Sequence, residues 1–153
     1  MSKRRNGRIL AFQAMYSWEV GGVNIDDLLS FSWLEDKGID SESDKTEQER
    51  LFAKLLVNGT VENISQIDGI IKSKLSEKWT IDRINKVALT VLRLSIYEMM
   101  FQKETDSVII IDEAIEISKD FGAEDSYKFI NAVLDNVRKD LEKTNIFRMI
   151  TTK

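Results

Sequence analysis

Apolar residues recur along most of this chain at intervals of three and four, the spacing of one helical face. Ile9, Phe12, Tyr16 and Val20 fall in one line, widened by Ala11, Met15 and Trp18. That pattern predicts a helix over 4–20, ended by Gly21 and Gly22. A short helix over 25–34 follows, with Asn24 as its N-cap and Ile25, Leu28 and Leu29 inward. Between 35 and 48 the periodicity gives way to Asp36, Asp40, Glu42, Asp44 and Glu47, which predicts a solvated loop. Thr46 and Glu49 have the spacing of a capping box at its end. A third helix carries Phe52, Leu55, Leu56, Ile64, Ile67, Ile70, Ile71 and Leu75, with a kink or break expected near Gly59 or Gly69.

The segment 81–101 is apolar almost all round, with Thr80 placed to cap it. Such a helix is buried by neighbours on several sides, so this is the expected central helix. Its one polar stripe, Lys86, Thr90, Arg93 and Tyr97, reads either as a solvent side or as a partner-binding face. Arg93 suits an internal ion pair, for example with Glu98, Glu113 or Glu116. Val108 to Ile111 would suit a strand by β-branching alone. However, Ile111, Ala114, Ile115, Ser118 and Phe121 continue at helical spacing, so a helix capped by Ser107 and stopped by Gly122 is expected. A last helix should run from Asp125–Ser126 to about 143, with Ile130, Val133, Leu134, Val137 and Leu141 inward. The fold class is all-α.

Composition narrows the chemistry. The chain has 153 residues, 42% hydrophobic and 31% charged, which suits one folded domain and neither disorder nor a membrane span. The basic start lacks the smooth apolar stretch of a signal peptide, so a cytoplasmic location is expected. There is no Cys and no His, which removes thiolate nucleophiles, imidazole bases and the commonest zinc ligands. Asp112, Glu113 and Glu116 read as an ordinary charged helix face, so no metal, cofactor or catalytic residue is assigned. The absence of proline weakly favours helices.

The net charge of −4 is unevenly spread. The first 18 residues hold Lys3, Arg4, Arg5 and Arg8 and no acid. A local basic patch suffices to grip a phosphate backbone, and arginine's planar fork of donors matches phosphate geometry. The alternative for this cluster is a solubilising, frayed terminus. Tyr127 and Phe129 lie toward the edges of the last helix's apolar face, where a ring can stack on an unpaired base. By pattern alone, packing between helices suits Phe129 better.

Three stretches together resemble the NusB family. They are Arg8 to Trp18 (RILAFQAMYSW), Trp79 to Ile84 (WTIDRI) with Val91 to Glu98 (VLRLSIYE), and Ile111 to Asp135 (IDEAIEISKDFGAEDSYKFINAVLD). Their order and spacing cover most of the chain outside the acidic loop. The resemblance implies a helical bundle of two roughly perpendicular three-helix subdomains, divided here near 76/77 and running to about 145. It implies no catalysis, but binding of boxA RNA with NusE, a small-subunit ribosomal protein. The setting would be the RNA polymerase antitermination complex, notably on ribosomal RNA operons. Carried over by motif, Lys3, Arg4, Arg5 and Arg8 would meet RNA phosphates and Phe129 would supply a stacking ring. Asp125 and Lys128 would lie beside the RNA path and Tyr16 near the NusE surface. Ile9, Asp106–Ser107 and Ala132 depart from the family pattern, yet none touches the basic opening or Phe129. Two other readings differ in class: the NusB-like domain preceding a ribosomal-RNA methyltransferase, and a homodimeric interaction module. The first would need a second domain with a catalytic cysteine, and this chain has neither Cys nor a Gly-rich strand–helix loop.

Overall fold

The computed structural model describes residues 3–30, 43–77, 80–122 and 126–151, and all regular structure among them is helical. The chain forms two units, Met1–Asn63 and Ile64–Lys153.

The first unit is built on α1 (Lys3–Gly21) and α3 (Ser43–Glu62), with the short α2 (Ile25–Leu29) against α1. Ala11, Phe12, Ala14 and Met15 of α1 meet Ala53, Leu56 and Val57 of α3 in a core that Leu28 and Leu29 extend. The alanines let the helices approach closely while the larger residues fill the seam. Gly22 follows α1 at φ 65°, the left-handed geometry expected of a helix stop. Asn24 caps α2 as expected, its Oδ1 accepting from the Asp26 N–H at 2.8 Å. The capping box at Thr46 and Glu49 is overtaken, because α3 already begins at Ser43 and Glu49 accepts a bond from Asn6 instead. Residues 43–48 of the expected loop are therefore helical, and 35–42 lie outside the described residues.

The long third helix of the sequence pattern breaks at Asn63, between the two glycines that flag it. Asn63 Nδ2 donates to the Gly59 carbonyl at 2.7 Å while its backbone N–H donates to the same oxygen at 3.1 Å. After the break, α4 (Ile64–Ser73) belongs to the second unit, where it packs on α5 (Lys86–Phe101). This puts the division at 63/64 rather than near 76/77. Helices α6 (Ser107–Phe121) and α7 (Ser126–Thr151) complete the unit, each packing on α5 and on the other.

Helix α5 is buried without interruption from Ala88 to Met99. Leu89, Leu92 and Ile96 meet a core formed with Ile67 and Ile71, Ile110 and Ala114, and Ile130, Leu134 and Val137. Its start differs from expectation. Thr80 makes no side-chain cap, and Ile81–Arg83 form one 3-10 turn. Asn85 caps the helix, its Oδ1 accepting from Val87 and Ala88 N–H groups at 2.8 and 3.4 Å. Asp106, one residue before the expected Ser107, caps α6 by accepting from the Val108 N–H at 3.1 Å.

Past Lys86, which is exposed, the polar stripe of α5 is not a solvent face. Thr90, Arg93 and Tyr97 are all buried. Thr90 Oγ1 donates to the Lys86 carbonyl at 2.8 Å, and the Tyr97 ring stacks on Phe101 with centroids 5.2 Å apart. Arg93 donates through Nε and Nη2, each at 2.9 Å, to the two oxygens of Asp68 on α4. An internal ion pair for Arg93 thus exists, and Asp68 is a partner not considered from sequence.

Candidate nucleic-acid interface

The basic opening of the chain lies on the first turns of α1 and is held by α3. Arg4 is exposed, Arg5 half-buried and Arg8 buried, at 8% exposure; the Lys3 side chain lies outside the described residues. The Arg4 and Arg8 guanidinium carbons stand 4.3 and 5.6 Å from the centroid of the Phe52 ring. A cation over an aromatic face is drawn to the ring's negative quadrupole, worth about 0.5–1 kcal/mol where exposed and about 2 where desolvated. Gly7, on α1 between the two arginines, makes room for that ring. A Cβ at this position would lie 2.7 Å from Phe52 Cδ2 and 3.1 Å from the Glu49 carbonyl oxygen. Asn6 Nδ2 donates to Glu49 Oε1 at 3.1 Å, closing the same pair of helices from the side.

Further along α1, Tyr16 is half-buried and its ring stacks on Phe12, with centroids 5.8 Å apart at 27°. Phe12 is core, so it holds one face of Tyr16 on the surface of the first unit.

The remaining sequence-derived positions belong to the second unit. Asp125 lies outside the described residues. Lys128 is exposed and Phe129 half-buried on the first turn of α7, just before the fully buried Ile130. Phe129 is therefore only partly covered, one position before the core. Beside it, Tyr127 receives Lys119 of α6, whose Nζ stands 4.9 Å from the ring centroid. That contact ties the end of α6 to the start of α7. The structure thus pairs Arg4 with Arg8 on one ring, and Lys128 with Phe129 on one helical turn.

Phe52 and Gly7 were missed by sequence reasoning, which counted Phe52 only as an apolar position. A signal was present: a glycine inside a helix costs about 1 kcal/mol relative to alanine, so one set between arginines marks a close approach. Among the described residues, no group of three or more His, Cys, Asp or Glu side chains converges as a metal site. No described helix is long and apolar enough to cross a membrane.

Comparison with known proteins places this arrangement among relatives. Residues 5–139 match the NusB family. Transcription antitermination protein NusB of Treponema denticola is 52% identical over 135 residues, spanning 88% of this chain and 95% of that protein. The corresponding protein of Treponema pallidum is 43% identical over 136 residues, spanning 89% and 92%. Among solved structures, the crystal structure of antitermination factors NusB and NusE in complex with dsRNA superposes with a TM-score of 0.77 at 31% identity. It covers 92% of this chain and 98% of that one. NusB of T. maritima superposes with a TM-score of 0.74 at 34% identity, covering 91% and 92%.

Proposed function

The chain belongs to the NusB family, and from that premise we propose that it is a non-enzymatic transcription antitermination factor that binds boxA RNA jointly with NusE. The observation that carries this reading is the likeness, over nearly the whole chain, to a NusB solved with NusE and dsRNA. The complex it enters is the RNA polymerase antitermination assembly, and the operons it serves are those of ribosomal RNA.

Recognition divides between two kinds of contact. Lys3, Arg4 and Arg5 on the opening of α1 take the phosphate backbone, with Arg8 beneath them as the inner, nearly buried member. Phosphate contacts fix register and orientation, while unpaired bases are read by stacking. Phe129 offers the stacking ring, and Asp125 and Lys128 flank the RNA path. Tyr16, held on Phe12, belongs to the NusE-facing surface.

The test is a titration of a short boxA-like RNA into the protein, with and without NusE, at two salt concentrations. Salt-sensitive binding that NusE strengthens, and that both Arg4→Ala/Arg8→Ala and Phe129→Ala weaken, is the expected result. Absence of binding even with NusE, or binding indifferent to every substitution, would overturn the reading and favour a protein-interaction module, the homodimer included.

A further inference from the structure

The outer face of α6 begins with apolar residues. Val108 is 53% and Ile109 51% exposed, while Ile110, Ile111, Ala114 and Ile117 of the same helix are buried. Across the turn that joins the two helices, Phe101 at the end of α5 is 45% exposed. One face of its ring lies on Tyr97, and the turn is tightened by the Thr105 N–H, which donates to the Gln102 carbonyl at 3.3 Å. Large apolar side chains grouped in water and rimmed by charge are the mark of a contact surface.

The charges along the same face say what that surface accepts. Asp112, Glu116 and Asp120 are exposed and follow one another at four-residue steps, so they rise along one side of α6. Like charges so spaced work against the helix, and Asp120 in the last turn also stands at the negative end of the macrodipole. Carboxylates on α7 are treated differently: Asp135, Asp140 and Glu142 meet cations of Arg138 and Lys139, Lys74, and Arg138 in turn. The three of α6 make no ion pair among the described residues. Lys119, the cation nearest to them in sequence, is drawn to α7, its Nζ standing 4.9 Å from the Tyr127 ring centroid. A nucleic-acid phosphate is repelled by such a row. A protein segment with an apolar anchor and lysines or arginines beyond it is complementary to both halves of the face.

We propose that the outer face of α6, with Phe101 at its head, docks a basic amphipathic segment of a partner protein. Its apolar residues cover Phe101, Val108 and Ile109, and its cations span Asp112, Glu116 and Asp120. The surface uses none of the residues assigned to RNA. The experiment titrates isotope-labelled protein with a synthetic helical peptide that carries leucines at one end and lysines at four-residue steps. Amide chemical shifts are followed at two salt concentrations. Shifts concentrated on Phe101 and the outer face of α6, with affinity falling as salt is added, are expected. Ile109→Ser, and the pair Asp112→Asn with Glu116→Gln, should each weaken binding about three- to tenfold. The pair Asp26→Asn with Asp27→Asn, on exposed positions of α2, removes as much charge elsewhere and should change affinity less than about twofold. All of these positions are exposed, so thermal unfolding should stay as in wild type.

Shifts scattered over the acidic surface, or equal losses from the α2 and α6 pairs, overturn the proposal, since net charge alone would act in that way. Peptide-free signals of Phe101, Val108 and Ile109 that move with protein concentration, and cease to in Ile109→Ser, overturn it in favour of a second copy as occupant. A short boxA-like RNA that shifts the same α6 amides overturns it in favour of nucleic acid. RNA affinity unchanged by Ile109→Ser supports it, and a protein that binds the peptide at α6 but no RNA overturns the functional reading alone.

Discussion

Two arginines of nearly equal burial meet different kinds of neighbour in the two units. Arg93, 6% exposed, donates through two nitrogens to both oxygens of Asp68. Arg8, 8% exposed, lies with Arg4 at the face of Phe52. The first arrangement matches two donors to the two carboxylate oxygens and closes a charge pair within one unit. Such a pair serves the fold: it ties α4 to α5 and presents nothing to a ligand. The second sets two cations against the face of one ring, a contact that adds no net charge of its own. Burial of an arginine therefore says little about its role until its partner is known.

The largest effect should come from opening the closed pair. Asp68→Ala leaves the Arg93 guanidinium buried without its carboxylate and should lower stability by about 2–3 kcal/mol, measured by urea unfolding. The figure sits below that of a fully buried pair because the Asp68 side chain keeps 22% exposure. Replacing both partners, as Asp68→Leu with Arg93→Met, should recover most of the loss, and no recovery would show that the pair does more than neutralise itself.

Gly7→Ala tests the other side of the comparison. Its Cβ forces the Phe52 ring or α3 to give way, at about 1–2 kcal/mol of overpacking. Phe52→Leu in the same background should relieve that strain, and thermal unfolding of the two variants would read the relief. Removing the cation changes stability less. Arg4→Ala should cost under about 1 kcal/mol, since its ring contact is at the surface, while RNA affinity drops with a shallower salt slope. A stability loss as large as that of Asp68→Ala would erase the distinction between the two kinds of arginine.

The smallest effect concerns the ion pairs made by carboxylates of α7. The hydrogen bond from Lys74 holds the Asp140 carboxyl below its ordinary value of 3.8, and that from Arg138, then Lys139, does the same for Asp135. A carboxyl depressed in the folded state contributes stability that is fully present above its unfolded value and lost as pH falls through the folded one. These pairs should thus leave stability flat at neutral pH and contribute only to acid unfolding, below about pH 4. An NMR titration of both carboxyls, with Lys74→Ala moving Asp140 back upward and Asp135 little, would check it.

How far the sequence carried can be seen at particular positions. Helical periodicity was enough for the all-α class, for the burial of α5 and for reading Val108–Ile111 as helix despite its β-branching. It was enough because each of these depends on which residues share a face, and that is a local property of spacing. Helix starts were less legible: Asn85 and Asp106 cap where Thr80 and Ser107 were expected, since neighbouring polar residues compete and the chain's path into the helix chooses among them. The family pattern pointed to the α1 opening and to Phe129, positions that periodicity alone could not separate from a frayed end and a packing residue.

Tertiary structure alone decided the pairings. Asp68 lies 25 residues from Arg93, and nothing local distinguishes it from Glu98, Glu113 or Glu116. The polar stripe of α5 looked like a solvent face because polarity was legible and its internal partners were not. Phe52 reads as one more apolar residue on α3 until α1 lays Gly7 against its ring and two arginines over it. Spacing along a chain says which side of a helix is apolar; which helix covers that side, and in what register, is settled only when the cores of the units pack.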